Sequence, residues 1–218
     1  MKAVWYEQIG TADDVLRHGN TDDPEVSDGE VLVRIRTSGV NPSDVKTRAG
    51  ARGELQFPRI IPHSDGAGEI EAVGDGVDKN RIGERVWLWN GAFGRAFGTC
   101  AEYISLPANQ AVEMPENTPF EAGACMGIPA STAYHGVFSG GSVKNKTVLV
   151  TGGAGAVGHY AIQLAKWDGA QVITTVSGPE KGLAAEEAGA DLVVNYNTAA
   201  DVEVVNNITN GERVDSIG

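Results

Sequence analysis

The chain reads as an α/β protein, with a mainly β first part followed by a doubly wound parallel sheet. Two observations predict this. The first is a short apolar strand that runs through a glycine-rich turn into an apolar helix, at Lys146-Thr-Val-Leu-Val-Thr-Gly-Gly-Ala-Gly-Ala-Val-Gly158. The second is a change of pattern near Phe120, from alternating, glycine-interrupted segments to repeated strand and helix.

Residues 1–6 are strand-like. Thr21 to Gly29 is polar and turn-rich, an exposed loop. In Glu30 to Ser38 the alternation places Val31, Val33 and Ile35 on one face, with Leu32, Arg34 and Arg36 on the other. Gly39-Val-Asn-Pro-Ser-Asp44 is a turn opening a short helix, with Ser43 or Asp44 as its cap. Asp65 to Val77 carries Gly66, Gly68, Gly74 and Gly76, which suggests bends and close backbone approach in a coiled β structure. Gly83–Trp89 and Cys100–Leu106 add two strands around a flexible loop from Gly91 to Gly98.

The second part begins with short helices at 121–126 and 131–138, interrupted by Gly127-Ile-Pro129. Strands at 146–151, 171–176, 192–195 and 213–217 then alternate with helices at 156–168, 180–188 and 198–209. The domain division is 1–118 and 119–218. Six strands are usual for such a sheet and about four are visible, so a fragment or truncated product is expected.

The glycine stretch is the sharpest signal. Gly153, Gly155 and Gly158 match G-x-G-x-x-G in the strand–turn–helix context that gives the match meaning. Glycine lets the main chain approach a pyrophosphate, and the helix N-terminus offers free N–H groups and a partial positive charge. The expected ligand is a dinucleotide. At the end of the second strand, Ser177 stands where a ribose-binding acid is expected, and Lys181 follows one turn later. A hydroxyl and an ammonium suit a 2′-phosphate, so NADPH is favoured over NADH. A plain helix start, with Ser177 as cap and Lys181 solvated, is the other reading.

Composition excludes several classes. The 218 residues are 41% hydrophobic and 21% charged, as in a globular protein. No apolar run approaches a membrane span, and the N-terminus lacks the pattern of a signal peptide, so a cytoplasmic location is expected. A net charge of −12 without a basic cluster argues against nucleic acid. Cys100 and Cys125 give no disulfide framework, and Cys125 reads as core. His18, His135 and His159 show no partner in the sequence. Trp87, Trp89 and Tyr103 could line a cleft, although aromatics on strands more often pack.

Several segments together resemble one family. They are Asn41-Pro-Ser-Asp-Val-Lys-Thr-Arg-Ala-Gly50, Ser64-Asp-Gly-Ala-Gly-Glu-Ile-Glu-Ala-Val-Gly74, Gly127-Ile-Pro-Ala-Ser-Thr-Ala-Tyr134, the glycine loop and Gly189-Ala-Asp-Leu-Val-Val-Asn-Tyr196. Their order and spacing are similar to the medium-chain dehydrogenase/reductase superfamily, in its quinone oxidoreductase (zeta-crystallin-like) branch. The resemblance implies a GroES-like N-terminal β-domain, an incomplete Rossmann sheet and an active site in the cleft between them. It implies a homodimer for the full-length protein. Asn41 and Asp44 match positions near the nicotinamide ribose and the cleft, and Thr132 matches a position along the nicotinamide. Gly155, Ala156 and Val157 match the pyrophosphate loop. Ser177, Lys181 and Tyr196 match positions that hold the adenosine ribose and its 2′-phosphate. Lys46 departs from the pattern, standing where several members carry a tyrosine facing the substrate.

Zinc-binding relatives place Cys where this chain has Asn41, and His-Glu where it has Ser64-Asp65. His63 lies one residue off, at a position usually held by glycine, and reads as a loop residue. No metal is expected. The expected activity is zinc-independent transfer of a hydride from NADPH to a quinone or an α,β-unsaturated carbonyl. Such an acceptor takes charge onto a distant oxygen, which solvent or a hydrogen-bond donor can satisfy. An enoyl-thioester reductase and a non-catalytic NADPH-binding protein are the alternatives.

Overall fold

A computed structural model describes residues 1–198 and the backbone pairing of Ser216 and Ile217. It divides into two compact units, Met1–Ile128 and Pro129–Gly218.

The first unit opens with β1 (Lys2–Trp5), a one-turn helix α1 (Ala12–Val15) and β2 (Arg17–Asn20), which pairs antiparallel with β1. Its main sheet is five-stranded and antiparallel. The strands are β3 (Glu30–Gly39), β4 (Asp65–Val73), β5 (Arg85–Leu88), β6 (Tyr103–Pro107) and β7 (Ala111–Glu113), in the order β6-β3-β4-β5-β7. Val31 and Val33 are fully buried with Ile70, Val86, Leu88, Ile104 and Leu106, as the alternation predicts. Register shifts between Leu32 and Val33 and between Ile35 and Thr37 bend β3 against β4. The glycines of β4 are steric necessities: a Cβ on Gly68 would lie 2.0 Å from Arg34 O. Two helices belong to this unit, α2 (Pro42–Arg48) and α3 (Phe120–Gly123). The expected boundary after residue 118 falls ahead of α3. That helix packs here, its Phe120 carbonyl accepting from Thr37 Oγ1 on β3 at 2.7 Å.

The second unit holds α4 (Ser131–Phe138), β8 (Thr147–Val150), α5 (Ala156–Asp168), β9 (Gln171–Val176), α6 (Pro179–Glu187), β10 (Leu192–Asn195) and β11 (Ser216–Ile217). All described strand pairs are parallel, in the order β10-β9-β8-β11. Its core joins Val148, Val150, Val172 and Val176 to Ala161, Ile162 and Ala165 of α5. α5 stops where Gly169 turns left-handed at φ 93°.

Several expectations need correction. Gly127-Ile-Pro129 does not interrupt the helical stretch: Met126–Ala130 forms a π-helical turn that runs into α4. The wider turn accommodates Pro129, which has no N–H to give to a helical ladder. The cap of α2 is Asn41, not Ser43 or Asp44. Cys125 is exposed: it follows Ala124, the C-cap of α3. In α5, Gly158, Ala161, Ile162 and Ala165 form the buried stripe. α1, β2 and β7 were not foreseen, being too short to show a period. The helix expected at 198–209 lies outside the described residues, as does most of the strand expected at 213–217.

Candidate functional site

The glycine loop leaves the C-terminal end of β8, a strand flanked on both sides. Three glycines have separate reasons to be there. Gly152 takes φ 68°, a conformation that glycine adopts freely. A Cβ on Gly153 would sit 2.1 Å from Thr174 Oγ1, and one on Gly158 would sit 2.4 Å from Gly152 O. Gly155 differs. Its φ of −78° suits any residue, and its Cβ would meet only Gly152 O, at 3.2 Å.

Main-chain donors decide what this loop can hold. The N–H groups of Gly152 and Gly153 donate to Thr175 on β9, and that of Gly155 donates to Gly152 O. The first bond of α5 runs from His159 N–H to Gly155 O, at 2.8 Å. The N–H groups of Ala156, Val157 and Gly158 therefore precede the helical ladder and donate to no backbone carbonyl among the described residues, as at any helix start. Of the expected loop residues, Ala156 and Val157 offer donors, while Gly155 offers the absence of a side chain. An anion fits this cradle.

At the neighbouring strand end, Lys181 Nζ donates to Ser177 Oγ at 2.9 Å, and Asn197 Nδ2 donates to Ser177 O at 2.8 Å. The Tyr196 N–H donates to Val176 O, and its side chain is 57% exposed. The fold thus brings Ser177, Lys181 and Tyr196 to the ends of β9 and β10, with Asn197 as a member that the sequence did not reveal. Gly178, not Ser177, is the N-cap of α6. Thr132 is exposed in the first turn of α4.

Asn41 and Asp44 lie in the first unit. The Asn41 N–H donates to Asp44 Oδ2 at 2.7 Å, closing the first turn of α2. Asn41 Nδ2 donates to Asp65 Oδ2 at 2.8 Å, and the Ile128 N–H donates to Asp65 Oδ1, also at 2.8 Å. Asp65 is buried, and burial pushes its carboxyl up to about 6 against the pull of those two bonds. Burial likewise raises Asp44 and lowers His63, while their mutual attraction opposes both shifts in part for His63 and Asp44 alike. Asp44 and His63 line a cavity of about 580 Å³ together with Ser43, Thr47, Arg52, Phe57, Phe93 and Arg95.

Lys46 is exposed on α2 and is not among the cavity-lining residues; neither are Trp87, Trp89 and Tyr103. Trp89 instead donates to Asn109 O, and the Tyr103 hydroxyl accepts from Arg34. Asp65 and His63 went unrecognised as site residues, although the glycines beside Asp65 mark the tight packing that buries it.

Zinc does not fit these donors. Asn41 presents an amide already given to Asp65, whose two oxygens are both engaged. Among the described residues no group of three His, Cys, Asp or Glu side chains could hold a metal. Among them too, no helix is long and apolar enough to cross a membrane.

An antiparallel β unit followed by a parallel sheet with an open glycine loop defines a two-unit, dinucleotide-type architecture. The comparisons specify it further. Residues 27–116 match the alcohol dehydrogenase GroES-like domain, and residues 156–217 match the zinc-binding dehydrogenase family. The chain is 32% identical over 202 residues to a 2-methylene-furan-3-one reductase of Solanum lycopersicum, covering 90% of this chain and 52% of that protein. It is 29% identical over 218 residues to a quinone oxidoreductase of Rattus norvegicus, covering 100% of this chain and 65% of the relative. The structure of an Escherichia coli quinone oxidoreductase complexed with NADPH superimposes with a TM-score of 0.86 at 27% identity, covering 98% of this chain and 64% of that one. This chain belongs to the medium-chain dehydrogenase/reductase superfamily, in its quinone oxidoreductase branch. It spans between about half and two thirds of the length of these relatives.

Proposed function

We propose that this protein is a zinc-independent, NADPH-dependent oxidoreductase acting on quinones or α,β-unsaturated carbonyls. The observation that carries the reading is the pairing of open N–H groups at Ala156, Val157 and Gly158 with the Ser177–Lys181 pair on the adjacent strand end. The first set suits a pyrophosphate. The second suits a 2′-phosphate, since an ammonium and a hydroxyl bind a phosphate monoester and Ser177, not a carboxylate, ends the strand. Tyr196 and Asn197 would flank the adenosine. Asn41 and Asp44, with Thr132, are the proposed residues on the nicotinamide side.

Bound NADPH would supply a hydride to an electrophilic carbon. The residues of the chain bind and orient the reactants, the main task in a reaction that needs no Lewis acid. The NADPH-bound quinone oxidoreductase and the furanone reductase support both the cofactor and the acceptor class. The amide at Asn41 supports zinc independence.

Calorimetric titration with NADPH and NADH tests the cofactor, and loss of reduced-nicotinamide absorbance with a panel of quinones and enones tests the acceptor. Tighter binding of NADH, or turnover that requires added zinc, would overturn the proposal. Binding without turnover of any acceptor would favour a non-catalytic NADPH-binding role.

A further inference from the structure

The hydroxyl chain behind the cavity of the first unit fixes the protonation of His63. Thr99 Oγ1 lies 2.6 Å from the carbonyl oxygen of Asp65, which can only accept. A hydroxyl has one proton to give, so Thr99 gives its proton there. Ser38 Oγ lies 2.8 Å from Thr99 Oγ1 and must be the donor in that contact. With its own proton spent, Ser38 Oγ can only accept from His63 Nδ1, at 2.9 Å. Neutral His63 therefore carries its proton on Nδ1, and Nε2 is a bare acceptor.

Three further observations concern that nitrogen. No hydrogen bond is made by Nε2 among the described residues, it is not among their sealed, unpartnered polar atoms, and its residue lines the cavity. Ser43 Oγ, on the same cavity, is buried without a partner. Finally, His63 has φ 77°, a strained conformation for a residue with a Cβ. A turn needing only its backbone shape would be more stable with glycine.

We propose that His63 Nε2 is the proton-transfer group for the acceptor's oxygen, so that the cavity selects acceptors whose reduced form carries a hydroxyl within reach of this nitrogen. This rests on the reading of the chain as an NADPH-dependent reductase. In the reducing direction the acceptor carbon gains the hydride with its electron pair. The acceptor oxygen takes the proton from the Nε2–H of the imidazolium, so the N–H bond breaks as the O–H bond forms. His63 returns to its Nδ1–H form and is reprotonated by solvent. The reverse reaction uses the bare Nε2 as base.

The charged groups around His63 are Asp44 from α2, Asp65 from β4, and Arg52, Glu54 and Arg95 from the loops lining the cavity. Asp44 favours the imidazolium and burial opposes it, with burial the larger. Turnover in the reducing direction is therefore expected to fall as pH rises through the His63 titration.

Two measurements on the full chain test this. Nitrogen-15 NMR at about pH 8 should show His63 protonated at Nδ1 and bare at Nε2. The Nε2 resonance should shift on adding a hydroquinone but not its dimethyl ether. An Nε2–H tautomer, or no selective shift, would overturn the proposal whether or not turnover is found. In kinetics, His63→Gln should lower kcat by about 100-fold with KM nearly unchanged, and should flatten the pH profile. His63→Gly should lose the same turnover while its melting temperature rises. Wild-type kcat and pH dependence in either variant would show that His63 only shapes a turn. Failure of the wild-type protein itself to reduce any acceptor would count against the proposed function, leaving the NMR result to decide on His63.

Discussion

Around the glycine loop of the second unit the hydrogen-bonding groups are main-chain N–H groups, held by the sheet and the start of α5. Around the cavity of the first unit they are side chains from separate parts of the chain: Ser38, Asn41, His63, Asp65 and Thr99. A backbone site depends on which residues lack side chains. A side-chain site depends on which protons and charges meet. The two should therefore fail differently, one by steric exclusion and the other by unmet hydrogen bonds or altered protonation.

The largest effect is expected at Gly158. Its Cβ would lie 2.4 Å from the carbonyl of Gly152 and 2.9 Å from Gly153 Cα, backbone that cannot yield cheaply. Gly158→Ala should lower the stability of the folded chain by about 3 kcal/mol in urea unfolding. An unchanged midpoint would remove the steric half of the comparison.

Asp65→Ala is expected to cost about 2–3 kcal/mol by the same measurement, since it strands the Asn41 amide and the Ile128 N–H. Asp65→Asn sharpens the point through pH. The carboxyl is raised in the folded state to about 6, so the fold holds its proton more tightly than the unfolded chain does. Its contribution to stability is full below the ordinary carboxylate range and is lost as pH rises through about 6. Stability of the asparagine variant should lack that decline between about pH 4 and 6. An identical slope in both proteins would assign the pH dependence to other groups.

Lys181→Ala should lower the preference for NADPH over NADH by about tenfold in calorimetry, roughly 1.4 kcal/mol, with little change in folding. A small effect on folding is expected at Gly155. Gly155→Ala keeps an accessible φ of −78° and should change stability by about 1 kcal/mol or less. It should nevertheless weaken NADPH binding. A variant that binds as tightly as the wild type would mean that nothing approaches the loop closely at that point.

The same contrast explains what could be read from the sequence. Backbone chemistry is local, so the strand, the glycine turn and the bounds of α5 were all legible, as was the strand from Gln171 to Val176. The Ser177–Lys181 pair was legible too, because residues four apart meet on a helix turn. The cavity was not. His63 meets Ser38 across 25 residues, and Ser38 meets Thr99 across 61, distances over which pattern carries no information. Even there a local trace existed: His63 stands just ahead of a glycine-rich strand.

The place of β8 in the sheet has one more consequence, in the time domain. Its amides are bonded to β9 on one side and β11 on the other, so Val148 and Leu149 should rank among the slowest in the chain to exchange with deuterated solvent. A few residues later, the exposed Ala156 and Val157 donate no backbone hydrogen bond among the described residues, and their amides should exchange far faster. Slow and fast clocks thus sit within ten residues of each other. Occupancy of the loop would be read as a slowing of the fast set alone, against an internal reference that the ligand does not touch.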